Sequence, residues 1–187
     1  WTLRGSREHI SPRALPGMKD RSLVVNSLSK SHAMTGWRIG WLTGPADFIR
    51  HLVSLNIVSS YGMADFVSHA AAEAVEKAYG VAEIAARYRD RRRAFLDAIR
   101  HINGVAARGS EGGMYVMLDI SAVEPDCEAF AWELLEAEKV AVLPGTSFGA
   151  AGGHVRISLC QEEPVLREAA ARIGRFIAGR TSRKAAE

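Results

Sequence analysis

Two successive helical stripes in the middle of the chain decide what it can fold into. Phe66, Val67, Ala70, Ala71, Ala74, Val75 and Ala78 form one apolar face at helical spacing, broken at Gly80. Ile84, Tyr88, Phe95, Ile99 and Ile102 form a second, which ends at Asn103-Gly104, a pair suited to a left-handed helix cap. On both sides of these helices the pattern changes to short apolar runs bounded by polar or glycine-rich turns. Leu23-Val24-Val25 has the form of a strand buried on both faces in a parallel sheet. Residues 37–42 read as a second strand, and Gly44-Pro45 opens a helix running to about residue 59. Beyond residue 104 the predicted order is a strand at 114–119, a helix at 126–138, a strand at 140–143 and a strand at 155–159. A closing helix is striped by Val165, Leu166, Ala169, Ala170, Ile173 and Phe176. Residues 1–20 read as loop with one short turn, and the end from residue 180 as frayed. The pattern is that of an α/β chain with two lobes joined by long helices.

Composition removes several classes of function. With 187 residues, 24% of them charged and 48% apolar, the chain can bury a core and is no disordered tail. No run approaches the roughly 18 apolar residues of a membrane span. The net charge is only +3 and the basic residues are scattered, which argues against nucleic acid as a partner. Cys127 and Cys160 stand apart with no CxxC pair, so a reducing, cytoplasmic setting is expected. His9, His32, His51, His69, His101 and His154 show no metal-ligand spacing, and no metal site is expected. Arg91-Arg92-Arg93 reads as a solvated helix face. The chain opens on Trp1 rather than Met and on a turn-rich stretch, as though cut from something longer.

Chemistry concentrates in the string Ser27-Leu28-Ser29-Lys30-Ser31-His32-Ala33-Met34-Thr35-Gly36-Trp37-Arg38-Ile39-Gly40. Lys30 lies just past an apolar strand, and open α/β sheets bind ligands beyond the carboxyl ends of their strands. Small hydroxyl residues flank it and leave room for a ligand, while burial of a lysine favours its neutral, nucleophilic amine. Arg38 follows eight residues later, and a guanidinium grips phosphate oxygens in a bidentate fork. An amine, the Ser27 hydroxyl and this guanidinium together suit a phosphorylated aldehyde. By itself a Ser-x-x-Lys is more simply a solvated loop; the length of the whole string decides.

A second cation, Arg156, sits in the middle of an alternating strand, with Val155, Ile157 and Leu159 facing one way and His154, Arg156 and Ser158 the other. A charge there needs a partner, either a protein carboxylate or that of a ligand.

Ser27, Lys30, Arg38, Ile39 and Gly40 resemble, position by position, the pyridoxal-phosphate attachment site of the class I/II, fold type I, aminotransferases. Val142-Leu143-Pro144-Gly145-Thr146-Ser147-Phe148-Gly149 followed by His154-Val155-Arg156-Ile157-Ser158 resembles the segment that carries that family's carboxylate-binding arginine. Gly112-Gly113-Met114-Tyr115 resembles the glycine-then-aromatic start of its small-domain sheet, with Met114 and Tyr115 as secondary candidates for touching substrate. Among relatives the strings are most similar to arginine:pyruvate transaminases.

The resemblance implies an α/β fold: the end of a large, mostly parallel sheet domain plus the whole small domain. Residues 1–60 would belong to the large cofactor-binding domain, 61–103 to inter-domain helices, 104–180 to the small domain and 181–187 to a tail. It implies pyridoxal 5'-phosphate as cofactor, with Lys30 as the catalytic amine that attaches to its aldehyde and later moves a proton between substrate and cofactor. Ser27 and Arg38 would hold the phosphate, and Arg156 the α-carboxylate of an amino acid or 2-oxo acid. Trp37 and Trp41 would serve packing. A homodimer is implied, in which Tyr61 would reach the partner's active site. The family draws its ring-nitrogen carboxylate, its Asn and Tyr on the ring oxygen and its stacking aromatic from residues well before the lysine. None of these appears in the twenty-nine residues ahead of Lys30, so the chain alone is expected to be inactive. The same arrangement also serves carbon–sulfur lyases and decarboxylating synthases, and a non-catalytic, aminotransferase-like chain is the third reading.

Overall fold

The computed structural model describes residues 9–108, 111–150 and 152–184. The chain divides into two compact units, Trp1–Ala85 and Ala86–Glu187.

The first unit begins with a short 3-10 turn, Pro12–Ala14, and then a two-stranded antiparallel sheet of β1 (Val24–Ser27) and β2 (Gly40–Thr43). Val24 lies opposite Thr43 and Ser27 opposite Gly40. Two helices follow, α1 (Ala46–Ser60) and α2 (Asp65–Lys77). Tyr61 caps α1 in the left-handed region and Ala78 caps α2 in the same way. Leu28 and Ile39, the residues just after β1 and just before β2, are buried with Ala71, and Met34, Val67 and Ala74 pack against them. Leu28 is wholly enclosed, which plugs the segment between the strands onto α2.

The helix α3 (Val81–Ile99) runs through the border between the units. The second unit holds a four-stranded antiparallel sheet in the order β3-β4-β6-β5. Its strands are β3 (Ala106–Arg108), β4 (Tyr115–Asp119), β5 (Leu143–Pro144) and β6 (His154–Ser158), with helices α4 (Cys127–Glu138) and α5 (Glu163–Lys184). Alternation sorts the central strands. Val116, Leu118, Val155 and Ile157 enter the core with Phe95 and Ile99 of α3, Phe130 and Leu134 of α4 and Leu166, Ala170, Ile173 and Ile177 of α5. Phe130 and Phe176 meet edge to face at 5.3 Å. Tyr115, Met117, Arg156 and Ser158 occupy the opposite face, with Met117 directly across from Arg156.

Several expectations need correction. The run Leu23-Val24-Val25 is no strand buried on both faces: Val25 is 76% exposed, and β1 pairs antiparallel with β2. Residues 28–39 fold into a turn rather than a crossover helix, so the chain returns in the opposite sense. The strand expected at 37–42 starts later, because Thr35–Trp37 form a 3-10 turn and Arg38 adopts a left-handed conformation, φ 53°. Trp37 and Trp41 are exposed rather than packed. The strand expected at 140–143 is reduced to β5, where Pro144 has no N–H for the ladder. The strand β3, Ala-Ala-Arg, lacks the β-branched signature that would announce it. The helix α5 continues past residue 180 through Lys184. Arg91-Arg92-Arg93 is not one solvated face: Arg91 pairs with Glu162, and Arg92, 6% exposed, donates to the Gly113 carbonyl at 2.5 Å.

Candidate active site

The hairpin of the first unit carries the amine, hydroxyl and guanidinium singled out in the sequence on one stretch of chain, residues 27–38. Ser27 ends β1, and its partner Gly40 opens β2 two residues after Arg38, so the antiparallel register returns Arg38 toward Ser27. This pairing needs glycine at position 40. A Cβ there would come within 2.5 Å of the Asn26 carbonyl oxygen. Between the strands the backbone wraps around Leu28. Its carbonyl accepts from the N–H groups of His32 and Met34 at 3.1 and 3.4 Å, and its own N–H donates to the Ile39 carbonyl at 3.4 Å. Ala33 at φ 54° and Arg38 at φ 53° make the two sharp bends. Both are non-glycine residues in the left-handed region, a conformation that costs free energy and is kept where surrounding contacts over-determine it.

Lys30 projects from this turn and is exposed. The burial expected for it from the sequence is not supplied by the described residues around it. Ser31 beside it is buried and shares a 2.9 Å hydrogen bond with His32 Nδ1. Ser27 Oγ accepts from the Ser29 N–H at 2.9 Å, which leaves its own proton available to donate. Arg38 spends one N–H on the Thr35 carbonyl at 2.8 Å, its one hydrogen bond among the described residues. An exposed amine, a hydroxyl donor and a guanidinium carried on one turn are the groups a small phosphorylated aldehyde would need: an amine can condense with the carbonyl, and the other two can meet phosphate oxygens.

The second unit holds Arg156, which is half-buried on the outer face of β6. Its guanidinium carbon lies 4.1 Å from the centre of the Tyr115 ring and 3.8 Å from that of Phe148. Among the described residues no carboxylate pairs with it. The sequence posed a choice between a protein carboxylate and a ligand carboxylate; among the described residues the guanidinium meets two aromatic rings and no protein carboxylate. Phe148, whose ring covers the Arg156 guanidinium, was not singled out in the sequence. Its signal was its place in the 142–149 string, but stacking depends on how the 3-10 turn Gly145–Phe148 lies on β6, which spacing does not reveal. On the same face His154 stands 3.8 Å from Asp119.

One further reactive group adjoins the Gly145–Phe148 turn. Cys127, buried at the start of α4, has its thiol pKa lowered. Burial alone would raise it, but donors from the Thr146 backbone and hydroxyl and from the Gly145 and His154 backbones together outweigh that effect.

Residues 3–173 match the sequence model of the family described as aminotransferase class I and II. The arginine–pyruvate transaminase of Pseudomonas aeruginosa is 44% identical over 168 residues, covering 89% of this chain and 43% of the relative. The aromatic aminotransferase of Pyrococcus horikoshii superimposes with a TM-score of 0.90 at 30% identity, over 96% of this chain and 49% of that one. The aspartate aminotransferase of Thermus thermophilus, solved with maleate, gives 0.85 at 36% identity over 92% and 45%. The chain thus spans a little under half the length of these relatives. Its α/β architecture is that of the C-terminal portion of a fold type I transferase. Because both the sequence match and the fold agreement extend over most of its length, the chain belongs to the class I and II aminotransferase family.

Proposed function

We propose that the protein carrying this sequence transfers an α-amino group from an amino acid to a 2-oxo acid, with pyridoxal 5'-phosphate held by Ser27, Lys30 and Arg38. The observation that carries the proposal is the hairpin at residues 27–40, which presents amine, hydroxyl and guanidinium from one turn. When bound, the cofactor supplies an electron sink that weakens the substrate's bond to its α-hydrogen. The chain's residues do the rest. Lys30 Nζ would hold the cofactor at its aldehyde and would be the base that carries the substrate's α-proton across to the cofactor's C4′ carbon. Ser27 Oγ and the free Arg38 N–H groups bind the phosphate and fix the cofactor against the turn. Arg156 binds the substrate α-carboxylate, which orients the bond to be broken.

Arginine and pyruvate are the first donor and acceptor to test, given the Pseudomonas relative. The setting we propose is a cytoplasmic homodimer in amino-acid metabolism. Among the described residues no helix is long and apolar enough to cross a membrane. Tyr61, 93% exposed at the end of α1, is the residue assigned to reach the second copy. The test uses the longest protein that the coding sequence specifies, supplied with pyridoxal 5'-phosphate. Alanine should accumulate from arginine and pyruvate, and Lys30→Ala should abolish both this and the near-visible Schiff-base absorbance of cofactor attached to the protein. Release of pyruvate or ammonia from an amino donor alone, without alanine from added pyruvate, would sink the proposal in favour of a lyase.

A further inference from the structure

We infer that Tyr115 and Phe148 are positioning residues for carboxylate recognition: their rings hold the Arg156 guanidinium so that its N–H edges are presented to the substrate. The inference rests on the reading of Arg156 as the carboxylate-binding group and adds to it the means by which that group is kept in place.

Three observations support it. First, the rings are poorly explained as core. Tyr115 is 37% and Phe148 46% exposed, on the side of the sheet away from the cluster around Phe95 and Leu118. Rings left so open contribute little by burial, yet each sits about van der Waals distance from one cation.

Second, both rings are placed by rigid backbone. Phe148 ends a 3-10 turn closed by the Gly149 N–H donating to the Thr146 carbonyl at 3.2 Å and the Ala150 N–H donating to the Gly145 carbonyl at 3.1 Å. That turn lies so close on β6 that a Cβ at Gly145 would come within 2.8 Å of His154 Cβ and of the His154 carbonyl oxygen. Tyr115 pairs with Ser158 and is the diagonal neighbour of Arg156 on the same face. The buried Arg92 ties down the Gly113 carbonyl just ahead of it.

Third, the rings satisfy the charge without using its donors. A carboxylate bound by Arg156 would use two parallel in-plane N–H groups, and a ring face occupies neither. A protein carboxylate in place of the rings would compete with the substrate. Two rings instead narrow the rotamers of a long side chain before substrate arrives, which lowers the ordering cost of binding.

The consequence is a defect in binding rather than in chemistry when a ring is removed. In the longest protein specified by the coding sequence, maleate binding is measured by titration calorimetry without added cofactor, and KM and kcat with cofactor. Phe148→Leu combined with Tyr115→Leu should weaken maleate binding about tenfold and raise KM for amino donor and 2-oxo acid together, with kcat at saturation retained. Phe148→Tyr and Tyr115→Phe, which keep the rings, should bind as the parent does, and the melting temperature should be unchanged in all three variants. The inference is overturned if the double Leu variant binds maleate within twofold of the parent while Arg156→Ala loses it; Arg156 then keeps its role without the rings. If Arg156→Ala itself leaves maleate binding unchanged, the reading of Arg156 fails and the inference with it.

Discussion

The phenol of Tyr88 donates to Cys160 Sγ at 3.5 Å. Burial first, and this hydrogen bond second, push its pKa from 10.0 up to about 12. Both favour the neutral phenol in the folded chain, so the stabilisation is complete below pH 10 and disappears as pH rises toward 12. An alkaline titration followed by tyrosinate absorbance should show a late step that Tyr88→Phe removes, and the variant should lose the steepest part of the stability decline between pH 10 and 12. Gly40 makes a second test at this scale. Gly40→Ala places a methyl carbon 2.5 Å from the Asn26 carbonyl oxygen, a backbone atom with little room to retreat. It should cost about 1–3 kcal/mol in a denaturant titration and disturb the spacing of Ser27 and Arg38. The sequence showed Ser27, Lys30, Arg38 and Arg156 as candidates because their reactive types stand at fixed spacings in long strings. It misread Arg92, since an arginine run looks the same whether its middle member reaches solvent or turns inward to a carbonyl.

Among the elements, α4 shows how local chemistry fixes a boundary. Asp126 accepts from the N–H groups of Glu128 and Ala129, both at 3.0 Å, and so satisfies donors that no helix turn can reach. Asp126→Ala should destabilise the chain by about 1 kcal/mol in thermal unfolding, whereas Asp126→Ser should restore most of it. Such signals are what made α1 to α5 legible: caps, breaks at glycine and stripes at helical spacing are written in adjacent residues. Strands fared less well, because their partners are distant in sequence. Leu23-Val24-Val25 has the composition of an enclosed strand, yet its only partner among the described residues is β2, and the outward Val25 stays bare. The alanines of β3 form a strand because β4 lies alongside, not because of their own propensity.

For the whole molecule, the two units differ in how their apolar residues are used. The second unit closes a core of wholly enclosed side chains such as Leu118, Phe130 and Leu159. In the first, Phe48, Val53, Leu55, Ile57 and Val58 of α1 remain exposed, and no residue of that helix is buried. The α/β class could be read from the order of patterns, whereas the border between the two compact units has no mark in the sequence. It falls between Ala85 and Ala86, inside the unbroken helix α3. A border of that kind offers a protease no slack chain. Arg87 and Arg89 are exposed, yet their peptide bonds lie within a hydrogen-bonded helix. Limited trypsin digestion under native conditions should therefore spare both sites and release neither unit intact, and early fragments ending at Arg87 or Arg89 would contradict this.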